Sequence, residues 1–362
     1  MATNGISVFD GDGHVFEDVE AISKHMPNNW LDTALVKNLG LFPALDHLRH
    51  GLASLPPGTF QNPGPDGWSR FLDESGIAGT VLYPTSALGI GRIPDPDYAI
   101  GLTRAYNDWL AETYQKDPRI QGVGLLPMQD PEAAVEELRR LVTQLGMAGG
   151  MLPTTGLKSD LGSREYWPVY AEADRLGCSL AAHGGSHIGF GFDQLAIPAG
   201  VHAMGHPFSI TIAFVSMLLH GVFDHYPNAR FGFLEAGVGW FLMAIERCTG
   251  SYRTLSPLNP RNDYIKLGDG EEIDDYIKRQ IAEGRLYIGV EGDEPTLTWA
   301  IKNMGAGGFV FSSDYPHEVT LQSIMGEINE VLENEELTQE EKSAVLGDNA
   351  RRLYDRQAVP AK

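Results

Sequence analysis

The sequence is poor in cysteine and in positive charge. It has two cysteines in 362 residues, Cys178 and Cys248, and no C-x-x-C pair. So few cysteines argue against a disulfide framework and are typical of a protein in a reducing cytoplasm. Lys and Arg number 27 against 48 Asp and Glu, which gives a net charge of -21. Because no basic patch offsets the repulsion, this charge argues against nucleic acid or an anionic membrane as partner.

Several segment types are also missing. The N-terminus lacks a basic stretch followed by a long apolar core, so we expect no signal peptide. We see no apolar run of membrane-spanning length and no low-complexity tract. The composition, 43% hydrophobic and 21% charged, is that of an ordinary globular protein. We therefore expect a cytoplasmic protein.

Eight short, mostly apolar segments read as β-strands, and nearly all precede a helical pattern. They are residues 6–9, 79–83, 121–126, 148–152, 179–182, 230–234, 285–290 and 308–312. Apolar strands that alternate with helices indicate a parallel sheet buried on both faces. A total of eight strands favours a closed (β/α)₈ TIM barrel. The alternative is an open doubly wound sheet, but its G-x-G-x-x-G motif is missing after the first strand, where the turn is acidic.

The rhythm of strands and helices has two interruptions. Insertions are expected near residues 18–65, a Pro/Gly-rich part that could form a lid, and near 251–280. Helices close the chain. We predict one domain over residues 1–362, with an N-terminal insertion and C-terminal helices.

Polar residues recur where the predicted strands end. Asp12 and His14 follow the first strand in the stretch Phe9-Asp10-Gly11-Asp12-Gly13-His14, and if the strand continues, Asp10, Asp12 and His14 share one face. The residues at or just past the ends of later strands are His183, Glu235, Glu291 and Asp314. In a barrel the C-terminal strand ends carry the active site. Two histidines with several carboxylates form a ligand set suited to Zn, Fe or Mn.

These motifs resemble the metal-dependent amidohydrolase superfamily. The closer likeness is to its amidohydrolase-related branch, which includes aminocarboxymuconate semialdehyde decarboxylase and the hydroxybenzoate decarboxylases. Asp10-x-Asp12-x-His14 resembles the D-x-H-x-H opening, Ala-Ala-His183-Gly-Gly the strand-five histidine motif, and Ser313-Asp314-Tyr315-Pro316-His317 the strand-eight motif. His206-Pro207 and the segment 221–240 resemble the region that leads to the catalytic position. The resemblance implies a metal held by Asp12, His14, His183 and Asp314.

Two positions depart from the branch pattern. Asp12 stands where many members have a histidine, and Glu235 stands where the decarboxylase has one. Asp12 can still coordinate a metal ion. Glu235 argues against decarboxylation, and its carboxylate could instead bind or bridge a second metal ion. Among further histidines that could serve a second ion (His187, His202, His206 and His317), His206 and His317 match branch motifs. We expect Asp314, Glu235 and His206 to be catalytic, and Asp12, His14, His183, Glu235, Asp314 and His206 to be the metal-binding set.

The leading expectation is a metal-dependent hydrolase of an ester, thioester or amide, which acts through metal-activated water. The alternatives are non-oxidative decarboxylation of an aromatic or unsaturated acid, oxygen chemistry at a dinuclear iron site, and a metal-free partner subunit. The expected cofactor is a divalent ion (Zn, Fe or Mn), one or two per chain. The expected partner is a small-molecule substrate, and the resemblance implies a homodimer.

Overall fold

A computed structural model describes residues 5–27, 40–46, 57–258 and 265–355. Nine strand segments lie in these ranges: β1 Asp10–Val15, β2 Thr80–Pro84, β3 Ile120–Gly122, β4 Gly124–Leu125, β5 Gly149–Pro153, β6 Ser179–His183, β7 Arg230–Phe233, β8 Leu286–Val290 and β9 Phe309–Phe311. β3 and β4 flank Val123 and together correspond to the strand predicted at residues 121–126. The nine segments therefore represent the eight predicted strands. The eight predicted strands are therefore all present.

All strand pairings are parallel and follow chain order. One sheet runs β1-β2-β3 and the other β4-β5-β6-β7-β8-β9. Backbone hydrogen bonds bridge both gaps between the sheets. Val123 N donates to Leu82 O (3.0 Å), and Asp314 N donates to Asp12 O (2.9 Å) just beyond β9. This arrangement agrees with the predicted α/β barrel class.

Helices alternate with the strands as expected. The α-helices in the described ranges are Val19–Ser23, Gly64–Ser75, Pro96–Tyr114, Pro131–Thr143, Trp167–Leu176, Pro198–Leu219, Val222–His225, Gly239–Leu255, Ile273–Ala282, Leu297–Met304, Leu321–Glu333, Gln339–Ser343 and Asn349–Leu353. Several begin as their sequences suggest. Asp130 caps the helix Pro131–Thr143 by accepting from the N–H groups of Glu132 and Ala133 (3.0 and 3.1 Å), a common N-terminal arrangement.

Three boundaries differ from the sequence expectations. β1 comprises the motif itself and begins at Asp10, whereas the apolar run before it was the expected start. The helical pattern of the sequence predicts a helix over residues 208–220, but the observed helix begins at Pro198, within the glycine-rich stretch after β6. Proline favours the first turn of a helix, and burial of Val201, Gly205 and His206 offsets the two glycines. The helix Gly239–Leu255 continues into the expected second insertion.

The helix Pro198–Leu219 is long and apolar enough to cross a membrane by length and composition. Its most apolar window has a mean hydropathy of 1.3, and half of that window is buried in the protein. The expectation concerned an unbroken apolar run, and His202, His206 and Pro207 interrupt this one in the sequence, so a single helix of this kind is weak evidence for a membrane span. Buried core helices meet the same criteria, and this helix packs against β6 and the helix Gly239–Leu255.

Candidate active site

β1 brings Asp12 and His14 into the interior, where both are fully buried. The pairing of β1 with β2 shifts register between Asp10 and Gly13, as in a β-bulge. A Cβ atom at Gly13 would lie 2.9 Å from Oδ2 of Asp10, so the Asp10 carboxylate lies on the Gly13 side of the strand. The expectation that Asp10 shares a face with Asp12 and His14 was therefore wrong.

Asp10 holds the backbone around the site. Its Oδ1 accepts from the N–H groups of Asp12 (3.2 Å) and Ser313 (2.8 Å). Its Oδ2 accepts from the hydroxyls of Thr80 (2.6 Å) and Ser313 (2.9 Å). These bonds join β1 to β2 and to the segment that carries Asp314.

The two histidines present the same nitrogen to a common space. Nδ1 of His14 lies 2.7 Å from the carbonyl oxygen of Pro84, and Nδ1 of His183 lies 2.9 Å from that of Gly184. Because a carbonyl oxygen only accepts, each Nδ1 carries a hydrogen, and in the neutral ring Nε2 then keeps its lone pair. The rings meet edge to face, with centroids 5.2 Å apart. This orientation is that of metal-binding histidines.

The two strand-end carboxylates lie on unusual backbone. Glu235 and Asp314 have φ angles of 54° and 52°, in the left-handed region. Such a conformation costs a non-glycine residue about 1–2 kcal/mol, and it is retained where surrounding contacts fix it. At Asp314 the bond to Asp12 O provides such a contact. Both side chains are about one-fifth exposed, at the mouth of the barrel.

The donor atoms of five side chains converge. His14 Nε2 lies 3.2 Å from Asp314 Oδ1, 3.5 Å from Asp12 Oδ1 and 3.9 Å from Glu235 Oε2. His183 Nε2 lies 3.0 Å from Glu235 Oε2 and 3.6 Å from Asp12 Oδ2. Ligands bound at about 2.1 Å to one ion are separated by about 3.0–3.5 Å in octahedral or tetrahedral geometry. The cluster therefore has the dimensions of a metal site, and Asp12, His14 and His183 alone form a group able to hold an ion.

This cluster is short of positive charge. Both carboxylate oxygens of Asp12, Nε2 of His14 and of His183, and Oε2 of Glu235 are buried and make no hydrogen bond within the described structure. Burial, and then the charge of Asp314, raises the pKa of Glu235 well above its usual range. Burial, and then the charge of Glu318, does the same to the pKa of Asp314. Burial lowers the pKa of His14, so its imidazole does not supply a cation. Desolvated carboxylates require a positive partner, and a divalent metal ion fits.

The His317 side chain contacts the carboxylate of Asp314. Its Nδ1 lies 2.7 Å from Asp314 Oδ1, and its Nε2 lies 2.9 Å from Thr85 Oγ1. The ring stacks between His14 and Phe60, with centroid distances of 4.1 and 5.5 Å. Burial lowers the pKa of His317 to about 4, so the ring is neutral at ordinary pH. These contacts fix the orientation of a candidate ligand, as partners of metal ligands commonly do.

His206 contacts the other side of Glu235. Its Nδ1 lies 3.1 Å from Glu235 Oε1. Glu291, by contrast, is exposed and outside the donor set, and its N–H donates to Glu294 Oε1 (2.7 Å). His202 faces Glu318 at the rim (2.5 Å). The structure thus brings together all six residues expected to bind metal, whereas Glu291 lines the cavity beside Asp12, Glu235 and Asp314 and His202 contacts Glu318.

Sequence reasoning missed two acidic residues near the site. Glu294 accepts from the N–H groups of Glu291 and Val238, which fixes the turn after Glu235. Asp46, from the N-terminal insertion, reaches His187 with Oδ1 3.3 Å from Nδ1. The E-x-x-E spacing of Glu291 and Glu294 was a weak signal for Glu294. No local sequence pattern indicated Asp46. Phe60, from the N-terminal insertion that could form a lid, stacks on His317.

A parallel α/β barrel with a buried cluster of histidines and carboxylates at its C-terminal strand ends defines an enzyme of the metal-dependent barrel class. Residues 64–356 match the amidohydrolase family, and the chain belongs to it. The resemblance drawn from the motifs is confirmed.

Sequence relatives with named activities are decarboxylases. A 2-amino-3-carboxymuconate-6-semialdehyde decarboxylase of Dictyostelium discoideum is 26% identical over 279 residues, which span 74% of this chain and 70% of the relative. A gamma-resorcylate decarboxylase of Polaromonas sp. is 27% identical over 304 residues, or 79% of this chain and 85% of the relative.

The solved structures agree on the fold. The 5-carboxyvanillate decarboxylase of Novosphingobium aromaticivorans, complexed with manganese and 4-hydroxy-3-methoxy-5-nitrobenzoic acid, superposes with a TM-score of 0.73. The match covers 97% of this chain and 96% of that structure at 19% identity. At this identity the likeness establishes the fold alone.

Proposed function

We propose that this protein is a divalent-metal-dependent carboxy-lyase, which removes CO₂ from an aromatic or unsaturated carboxylic acid without an oxidant. The observation that carries the proposal is the convergence of five side-chain donors from four strand ends, in a family whose relatives named above are decarboxylases. The comparisons favour this alternative over the leading expectation of a hydrolase. A small acid as substrate, a cytoplasmic location and a homodimer belong to the same proposal.

Asp12, His14, His183 and Asp314 would hold the ion, with Glu235 as a fifth donor. Manganese, iron and zinc all accept this mixture of imidazole and carboxylate ligands, and a solved relative contains manganese. The bound ion would supply Lewis acidity, which orients the carboxylate of the substrate and stabilises negative charge on its oxygens.

Decarboxylation also requires a proton. The C–C bond to the carboxylate breaks, CO₂ leaves, and the carbon that loses it must gain a hydrogen. Asp314 fits the role of donor because its side chain is partly exposed at the mouth, beside the other donor atoms of the site. Transfer from Asp314 leaves its carboxylate, which recovers a proton from solvent before the next turnover.

Glu235 and His206 have a different role from that of Asp314 in the proposed reaction. Glu235 Oε2 faces the donor set, and His206 Nδ1 contacts Oε1, so His206 orients the carboxylate. The same feature supports a second candidate function, hydrolysis of an ester, thioester or amide. A carboxylate at the position where decarboxylases of the branch have a histidine could accept a proton from attacking water.

A substrate panel separates these functions. The Mn(II)-loaded full-length protein is incubated with hydroxybenzoates, a carboxyvanillate and an unsaturated semialdehyde acid, and CO₂ release and product are measured. The same preparation is tested on aryl esters, thioesters and amides. We expect CO₂ from at least one acid and its loss in Asp314→Asn, whereas His220→Gln, outside the site, retains activity. Turnover confined to the esters, thioesters or amides would overturn the proposal in favour of hydrolysis.

A further inference from the structure

Glu17 lies three residues after His14, in the loop that follows β1, and its carboxylate binds the turn at the end of β2. Oε1 accepts from the N–H groups of Thr85 (3.0 Å) and Ala87 (2.8 Å), and Oε2 accepts from that of Ser86 (2.9 Å). Consecutive N–H groups that point at one anion form a binding nest, and hydrogen bonds to a charged acceptor are the stronger kind. Glu17 therefore fixes the backbone of this turn.

The peptide group between Pro84 and Thr85 connects Glu17 to a histidine of the donor set. Its N–H donates to Glu17, and its carbonyl oxygen lies 2.7 Å from Nδ1 of His14. Because the N–H and C=O of a planar trans peptide point in opposite directions, the two contacts lie on opposite sides of one rigid unit. The carboxylate thus orients the acceptor that holds the hydrogen on Nδ1 and directs Nε2 of His14 to the other donors.

The side chain of Thr85 leads to a second residue of the donor set. Its Oγ1 lies 2.9 Å from Nε2 of His317, and Nδ1 of His317 lies 2.7 Å from Oδ1 of Asp314. Thr85 is buried, and β-branched side chains have few rotamers, so its hydroxyl position follows from the backbone that Glu17 holds. The orientation of Asp314 therefore depends on the same turn.

The far end of the turn packs on the segment that follows β6. Ala87 and Leu88 belong to the 3₁₀ helix Ser86–Arg92 and are buried. A Cβ atom at Gly185 would lie 2.4 Å from the carbonyl oxygen of Leu88, so only glycine allows this close approach two residues after His183. The turn is therefore held between the strands that carry the two histidines of the donor set.

We propose that Glu17 is a positioning residue of the metal centre. It acts on His14 through the peptide group that precedes Thr85, and on Asp314 through the Thr85 hydroxyl and His317. The inference rests on the ion of the proposed function, but not on the reaction catalysed there. Hydrogen bonds in a chain polarise one another, so the charge of Glu17 strengthens the carbonyl as an acceptor and makes Nε2 of His14 a better metal ligand.

Glu17→Gln tests this role because it keeps the size of the side chain. The amide oxygen can still accept, but the NH₂ group faces an N–H donor and the negative charge is lost. The metal-free full-length protein is titrated with Mn(II) alone, and electron paramagnetic resonance measures the free ion. We expect the affinity for Mn(II) to fall about 10–100-fold, the loss typical of a partner of metal ligands.

The His14 ring gives a second measurement, which requires no metal. In protein made with isotopically labelled histidine, nuclear magnetic resonance shows which ring nitrogen carries the hydrogen, and His14→Gln assigns the signals. We expect a hydrogen on Nδ1 in the wild type and a shift of these signals in Glu17→Gln. Thr85→Val removes only the hydroxyl, so it should leave the His14 signals in place and lower the affinity for Mn(II) about tenfold.

Glu137→Gln is the matched control, a change at a buried glutamate on the helix Pro131–Thr143, outside the site. The Glu137 carboxylate accepts hydrogen bonds from the side chains of Arg104, Asn107 and Arg140. This variant should lose stability in urea but keep its affinity for Mn(II) and its His14 signals. Circular dichroism checks that each variant is folded.

Unchanged affinity for Mn(II) in folded Glu17→Gln, or an equal loss in Glu137→Gln, would overturn the role of Glu17. If Glu17→Gln does not fold, unchanged affinity in Thr85→Val is sufficient to overturn it. CO₂ release by the wild type would leave the proposed function standing in either case. Weakened Mn(II) binding in Glu17→Gln, without CO₂ release by the wild type from any acid, would support the role of Glu17 and count against that function alone.

Discussion

Asp10 offers a sharp test of how the site is held, because two substitutions should have different effects. Asp10→Ala removes the acceptor of two buried N–H groups, those of Asp12 and Ser313. Each buried donor left without a partner costs about 1–3 kcal/mol, so we expect a loss of about 2–6 kcal/mol in the free energy of unfolding. Asp10→Asn should cost far less. Its amide oxygen can accept from both N–H groups, and its NH₂ can donate to the hydroxyls of Thr80 and Ser313.

The same pair of proteins gives a pH signature. Burial raises the pKa of Asp10 from its ordinary value of 3.8 to about 6. The folded state therefore binds more protons than the unfolded state, and the stability that this group contributes falls as pH rises through 6. Between pH 5.5 and pH 8 the loss is about 0.8 kcal/mol by linkage. Asn does not titrate, so the stability of the wild type relative to Asp10→Asn should fall by about this amount.

Urea unfolding of the metal-free proteins, followed by circular dichroism at the two pH values, measures both effects. Mn(II) binding to the folded variants gives a second measurement, since loss of a residue that positions ligands typically weakens metal binding about 10–100-fold. We expect that weakening in Asp10→Ala and little change in Asp10→Asn. If Asp10→Asn is as unstable as Asp10→Ala, or Asp10→Ala is as stable as the wild type, the assigned role of Asp10 is wrong.

Three further outcomes test the site. Glu235→Gln should keep the fold and lower Mn(II) occupancy or turnover at least tenfold, about 1.4 kcal/mol; unchanged metal content and rate would remove Glu235 from the site. Chelation should abolish activity but leave the circular dichroism spectrum intact, because the large core stabilises the barrel without the ion; loss of helical signal would make the ion structural. His317→Phe keeps the ring beside His14 but removes the contact with Asp314, and should lower turnover about 10–100-fold. Full activity in that variant would show that the contact is dispensable.

The fold was predictable because its signal is local and repeated. Each strand is a short apolar run, and burial on both faces of a parallel sheet requires that composition. The predicted strand ends then identified Asp12, His183, Glu235 and Asp314 as candidate site residues, because the C-terminal ends of parallel strands lie on the same side of the sheet. The start of the helix at Pro198 was not predictable in this way, since its apolar face includes glycines and histidines whose burial depends on the neighbouring loop.

The outer residues of the site depend on contacts between distant parts of the chain. Asp46 is 141 positions from His187, and segments on both sides of it, 28–39 and 47–56, lie outside the described residues. No spacing rule connects an acidic residue in an insertion to a histidine in a loop after β6. Glu291 follows β8 and lines the same cavity as Asp12, Glu235 and Asp314, and its N–H donates to Glu294.

Hydrogen-bond donors, rather than residue type or strand position, distinguish structural carboxylates from candidate metal ligands here. Asp10 and Asp12 are two residues apart and equally buried. Among the described residues, Asp10 accepts four hydrogen bonds and Asp12 accepts none through its carboxylate. Both oxygens of Glu294 accept from backbone N–H groups, whereas Oε2 of Glu235 has no hydrogen-bond partner in the same ranges. A buried carboxylate with several donors is already stabilised, and one without them needs a cation. Asp12 and Glu235 are therefore two carboxylates whose burial is not compensated by hydrogen bonds within the described residues, and both border the same space.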